Sequence, residues 1–176
     1  RVSKHDLEKR KILYVESGDR FRKFIRGESY SSKLAQNLYK ADERQPDFLA
    51  GVMWGEMLID ELDKDMHLVF DGVARSAPEA QMLTTALKFY GRERPVIIHL
   101  DVSRKWSEER LLKRGRSDDV SVARIDKRLD WFDQDVVPAI TYFKKDSFYR
   151  VLTIDGEQTI EAVHRDIVAK YDYSKD

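Results

Sequence analysis

Residues Pro95–Val102 read PVIIHLDV, and this stretch decides the fold. Val96, Ile97, Ile98 and Leu100 form a nearly continuous apolar run rather than an alternating one. Continuity of that kind marks a strand covered on both faces, as in a parallel sheet between helices. Three further runs are similar: Lys11–Glu16 (KILYVE), His67–Asp71 (HLVFD) and Arg150–Asp155 (RVLTID). Helical patterns fill the gaps. Lys33–Lys40 and Phe48–Leu62 lie in the first, Pro78–Tyr90 in the second, Trp106–Arg114 and Val122–Lys144 in the third, and Glu157–Tyr171 follows the last strand. Strands alternating with helices specify an α/β fold with helices on both faces of a parallel sheet. The helix from Val122 carries Ile125, Leu129, Phe132, Val136, Ile140 and Phe143 at three- and four-residue spacing. That is one buried stripe, and Trp131 is also assigned to the core. Pro138 is expected to kink or divide this helix.

The whole chain of 176 residues suits one domain with a substantial core. The absence of cysteine excludes a disulfide scaffold, a thiol nucleophile and a thiolate metal site. No apolar run reaches the ~18–20 residues that span a bilayer, so no membrane association is expected. Arg1–Lys11 lacks the apolar centre of a signal peptide. Charged residues at 36%, apolar at 41% and aromatic at 11% read as a soluble globular protein, not a disordered one. The 32 basic and 32 acidic residues balance, which argues against nucleic acid as a partner. His67, His99 and His164 lack the neighbours expected of a metal site.

Ligands of open α/β sheets bind beyond the carboxyl ends of the strands. Three of the four strands end in polar clusters: Glu16-Ser17-Gly18-Asp19 with Arg22 following, Asp71-Gly72-Val73-Ala74-Arg75, and Asp155-Gly156-Glu157-Gln158. Glycine admits close backbone approach, and arginine takes phosphate with a two-pronged fork. Each Gly–Asp pair alone is also an ordinary turn. Three together, two of them with an arginine nearby, point to phosphate.

Arginine is concentrated between Arg104 and Arg128, where nine basic residues face five acidic ones. Arg110 and Arg114 are four apart, as are Arg124 and Arg128, so each pair shares a helix face and repels unless an anion lies between. A solvated helix face balanced by Glu108, Glu109, Asp118, Asp119 and Asp126 is the alternative. Gly115 followed by Arg116, Asp118 and Asp119 suits a cover that closes arginines onto a polyphosphate.

In this order the residues resemble the adenylate kinase family of nucleoside monophosphate kinases, from about Tyr14 to Val168. Ser17-Gly18-Asp19 with Arg22 is similar to the family's Thr-Gly-Asp-x-x-Arg, whose arginine holds the acceptor phosphate. Asp71-Gly72-Val73-Ala74-Arg75 is similar to Asp-Gly-Phe-Pro-Arg, whose arginine grips the same phosphate. Arg110 and Arg114 match the arginines bordering the LID, one against the ATP base and one on ATP phosphate. Arg116-Ser117-Asp118-Asp119 resembles Gly-Arg-x-Asp-Asp, and Arg128-Leu129 resembles Lys-Arg-Leu. Gly156 falls where backbone borders the ATP adenine.

The resemblance implies transfer of the ATP γ-phosphoryl to a nucleoside monophosphate by a cytoplasmic monomer. Catalysis is then positioning plus neutralisation of charge. Arg114, Arg116 and Arg128 stabilise the transferring group. Ser17, Gly18, Arg22, Gln45, Gly72, Arg75 and Glu79 bind the monophosphate, with AMP expected. Arg110, Arg114 and Gly156 bind ATP, and Mg²⁺ bridges its phosphates with Asp71 acting through water. Residues 17–46 correspond to the acceptor-binding insertion and residues 114–124 to a short LID. The implied architecture is a P-loop-NTPase-like sheet of five parallel strands, of which this chain supplies the second to fifth.

Four departures accompany the resemblance. Val73 and Ala74 replace the family's Phe and Pro. Glu79 replaces the usual Gln that reads the acceptor base, and an ionised carboxylate accepts hydrogen bonds but donates none. One extra residue lies between Asp119 and Arg128. The phosphate loop Gly-x-x-x-x-Gly-Lys-Ser/Thr is absent. It is expected upstream of Arg1, and the chain by itself is then expected to be poorly folded and inactive. The alternative is a nucleotide-binding relative that has lost phosphoryl transfer.

Overall fold

A computed structural model describes residue 9 and residues 11–114 and 122–171, with only the backbone of Arg114. Strand β1 (Ile12–Glu16) runs parallel to β2 (His67–Asp71), and β3 (Val96–Asp101) runs parallel to β4 (Arg150–Asp155). Parallel neighbours require crossover connections, and helices supply them. Between β1 and β2 lie α1 (Ser17–Phe24), α2 (Tyr30–Lys40) and α3 (Asp47–Glu61). Helix α4 (Ala77–Phe89) joins β2 to β3. Between β3 and β4 lie α5 (Arg104–Arg114), α6 (Val122–Trp131), a π-helical stretch (Phe132–Val136) and α7 (Val137–Lys145), and α8 (Ile160–Lys170) follows β4. The architecture is α/β with helices on parallel sheets, as the apolar runs predict.

The described residues form two two-stranded sheets, one in each of two compact units, Arg1–Leu83 and Thr84–Asp176. In the first unit α3 packs on β1, and Leu13, Val15, Met53, Trp54 and Leu58 are buried. Arg20 Nη1 donates to the Met53 carbonyl oxygen at 3.3 Å, and the guanidinium pairs with Glu56 and Glu61, which ties α1 to α3. In the second unit α7 and α8 pack on β4, and Ile125, Phe143, Tyr149, Leu152 and Ile154 are buried. Thr84 Oγ1 lies 2.7 Å from the Tyr149 hydroxyl and 2.9 Å from that of Tyr142.

Two expectations need correction. Burial on both strand faces does not hold: in the first sheet Tyr14 and Val69 are exposed on the face opposite buried Leu13 and Val15, and in the second Ile98 and Leu100 of β3 are exposed although their register partners on β4, Leu152 and Ile154, are buried. Phe132 is 41% exposed rather than core, since the stripe breaks where the π-helical stretch begins. Pro138 accounts for that break: it has no N–H to donate four residues back, and the chain widens its turn just before it. Ser17-Gly18-Asp19 forms the first turn of α1, where the Asp19 charge complements the helix N-terminus.

Candidate functional site

The register of the first sheet sets Glu16 beside Asp71. The two strand ends therefore deliver their polar clusters side by side. From β1 the chain enters α1 at Ser17 and Gly18, and one turn on the Arg22 guanidinium pairs with Asp19 and approaches Glu16 at 3.9 Å. An alanine Cβ at Gly18 would stand 3.3 Å from the Arg22 guanidinium.

From β2 the chain turns sharply through two left-handed residues, Gly72 at φ +65° and Ala74 at φ +56°. Arg75 is exposed, and its Nε donates to the Gly72 carbonyl oxygen at 2.6 Å. A left-handed residue 74 explains the departure from the family's proline, whose ring holds φ near −65°. Ser76 then starts α4, its hydroxyl accepting from the Glu79 backbone N–H at 3.3 Å. The Glu79 carboxyl accepts in return from the Arg75 backbone, a close variant of the capping box.

Glu79 is only 5% exposed. Burial and then the Asp47 charge raise its pKa, while Arg44, a hydrogen bond from the Arg75 backbone and the Arg75 charge oppose the rise. Arg44 and Asp47 form an ion pair, and Gln45 between them donates from Nε2 to the Ala35 carbonyl oxygen at 3.1 Å. The Gln45 Oε1 is buried and lacks a partner. Arg44, Asp47, Arg75 and Glu79 are thus electrostatically coupled. Arg44 and Asp47 carry this coupling although no motif singles out their side chains. Their i, i+3 spacing with opposite charges was the available signal.

In the second unit Gly156 follows β4, and its N–H donates to the Asp101 carbonyl oxygen at 2.8 Å. A Cβ at Gly156 would meet Val102 Cγ1 at 2.6 Å, so this close approach requires glycine. The neighbouring Glu157 carboxylate accepts from the Ser103 N–H at 2.6 Å, which holds its pKa below the usual carboxylate range. On α5 the exposed Arg110 guanidinium lies 5.0 Å from the centre of the Trp106 ring, a cation–π contact that gives this tryptophan a place. Arg128 is half-buried on α6. Arg116, Asp118, Asp119 and the Arg114 side chain, with most of 114–124, lie outside the described residues.

Sequence reading missed Arg104. Its guanidinium pairs with Glu108 at 3.4 Å, Asp126 at 3.5 Å, Asp130 at 2.9 Å and Asp133 at 3.4 Å. It thereby joins the first turn of α5 to α6 and the π-helical stretch, so part of the local arginine surplus is committed to carboxylates.

No group of three or more metal-binding side chains occurs among the described residues. Mg²⁺ carried by a nucleotide needs less: it keeps several waters and takes one or two carboxylates plus phosphate oxygens. Exposed Asp71, a hard oxygen donor at the strand end, fits that demand. Among the described residues no helix is long and apolar enough to cross a membrane.

No family model matches the chain. Curated relatives do. An adenylate kinase of Bacteroides fragilis is 30% identical over 179 residues, covering 97% of this chain and 90% of the relative. Adenylate kinases of Porphyromonas gingivalis and Phocaeicola vulgatus are each 30% identical, over 155 and 171 residues; the matches cover 85% and 95% of this chain and 77% and 88% of the relatives. With matched strand-end clusters on an α/β frame and identity of this extent, the chain belongs to the adenylate kinase family.

Proposed function

We propose that the protein transfers the γ-phosphoryl of ATP to AMP, giving two diphosphates. The observation that carries this reading is the register of Glu16 with Asp71, which sets the segment bearing Arg22 beside the segment bearing Arg75. Two arginines on adjacent strand ends suit one dianionic phosphate, and each can present a two-pronged fork. Arg22 is held by Asp19 and Glu16, so an incoming phosphate competes with carboxylates for it.

Gln45 and Glu79 border the acceptor base in this reading. Adenine offers an acceptor at N1 and a donor at its amino group. A protonated Glu79 would match both, as the amide of Gln does, whereas an ionised one would match only the amino group. The unspent Gln45 Oε1 is a second acceptor for an amino group.

Arg110 and Gly156 serve the ATP base, and Arg114, Arg116 and Arg128 the transferring phosphoryl group. Gly156 supports this because its closeness to Val102 keeps side chains away from the strand end. Asp71 would hold a water of the Mg²⁺ that accompanies ATP, and the metal would supply neutralisation of phosphate charge there. We place residues 17–46 as the acceptor-binding insertion and residues 114–124 as the short LID. In this reading the protein acts as a cytoplasmic monomer.

A coupled ATP/AMP assay on the full-length protein tests the reading. Arg75→Ala should lower turnover by about two orders of magnitude or more. Unchanged kinetics in that variant, or a full-length protein inactive on every monophosphate, overturns it; the latter result would favour a binding protein without transfer chemistry.

A further inference from the structure

A carboxylate at a strand end has two free side-chain torsions, so something must decide where Asp71 points. The side-chain period of two sets Tyr14, Glu16, Val69 and Asp71 on one face of the first sheet. Tyr14 stands opposite Val69, and its phenol leans along the strands to donate to Asp71 Oδ2 at 2.5 Å, 57 residues away in sequence. Neither Tyr14 nor Val69 is buried, so core packing does not explain a tyrosine at this position. The hydroxyl is the distinguishing atom.

Glu16 makes the arrangement necessary. It is the register partner of Asp71, and like charges directly opposite across a strand pair repel. The two carboxylates are drawn to different donors. Arg22 takes Glu16, and Tyr14 takes Asp71. With Oδ2 held by the phenol, Oδ1 is left for another ligand.

We propose that Tyr14 is a positioning residue: it fixes one oxygen of Asp71 and so turns the other toward the hydrated Mg²⁺ of the bound nucleotide. This rests on Asp71 holding a water of that Mg²⁺, and neither the strand-end motifs nor the charge pattern singled out Tyr14.

The test uses Tyr14→Phe in the full-length protein, which keeps the ring and removes only the hydroxyl. The Mg²⁺ concentration giving half-maximal turnover should rise about tenfold, the scale of losing a partner that orients a metal-associated carboxylate. The KM for AMP and the melting temperature should stay as in the parent. Calorimetry supplies a readout apart from activity: Mg²⁺ should tighten ADP binding less in Tyr14→Phe, while metal-free ADP affinity is unchanged. Asp71→Asn should show the same defect, and the double variant should be no worse than Asp71→Asn alone. An unaltered Mg²⁺ requirement in Tyr14→Phe beside a clear defect in Asp71→Asn overturns the role of Tyr14 and leaves that of Asp71 standing. An additive double variant also overturns it. If Asp71→Asn itself leaves the Mg²⁺ dependence unchanged, the reading of Asp71 fails and the positioning role fails with it, while the kinase assignment is judged separately by Arg75→Ala.

Discussion

Arg75 donates from Nε to the carbonyl oxygen of Gly72, and its guanidinium lies against the spot where a Cβ on that glycine would stand. Gly72 is left-handed at φ +65°, so Gly72→Ala carries two penalties. Backbone strain should cost about 1–2 kcal/mol, read by urea denaturation. Displacement of Arg75 should raise the KM for AMP while the KM for ATP stays near its parent value. Equal rises in both constants would mean that the turn does not serve the acceptor alone.

Ala74 sits at φ +56°, which a proline ring cannot adopt. Restoring the family's residue with Ala74→Pro should therefore harm this protein. Strain of about 1–3 kcal/mol is expected if the turn resists, together with weaker AMP binding because Arg75 is the next residue. A stabilised variant with unchanged AMP affinity would show that the turn accepts another backbone path.

The raised pKa of Glu79 gives a pH signature. The folded state binds its proton more tightly than the unfolded chain does, so its contribution to stability is full below the ordinary value of 4.5. The contribution is lost as pH rises through the higher folded value. Urea midpoints of the parent should fall across that window relative to Glu79→Gln, which keeps the shape and does not titrate. AMP turnover should fall over the same window in the parent and stay level in the variant. Parallel pH profiles would exclude a proton-dependent role.

Tyr149 is pushed up to about 12, chiefly by burial, against a lowering hydrogen bond with Thr84. Its neutral form stabilises the second unit below the ordinary value of 10, and that stability is lost as pH rises toward 12. Phenolate absorbance should show one of the eight tyrosines ionising late. Tyr149→Phe should remove that late phase; a late phase that survives belongs to another tyrosine.

Strand positions were readable because apolar runs are local. His67–Asp71 and Arg150–Asp155 form over the full length of their runs, and Pro95–Val102 shortens by one residue at each end. The first turn of α1 was not readable, because Gly18-Asp19 has the composition of a loop and becomes helical through the residues downstream of it, Arg20–Phe24. Glu16, Arg22, Asp71 and Arg75 were visible as strand-end residues, yet their grouping depends on parallel register, which no local pattern encodes. Tyr14 and Arg104 were missed for the same reason. Their partners lie 57 and up to 29 residues away, and only folding reveals them.

The π-helical stretch Phe132–Val136 has a mechanical consequence. Helix α6 packs against α5, whereas α7 packs against β4. An unbroken α-helix would lock these two attachments into one rotational phase. The five residues of wider turn ahead of Pro138 instead release α7 from the rotational phase of α6, so that one segment can face α5 and the next can face β4.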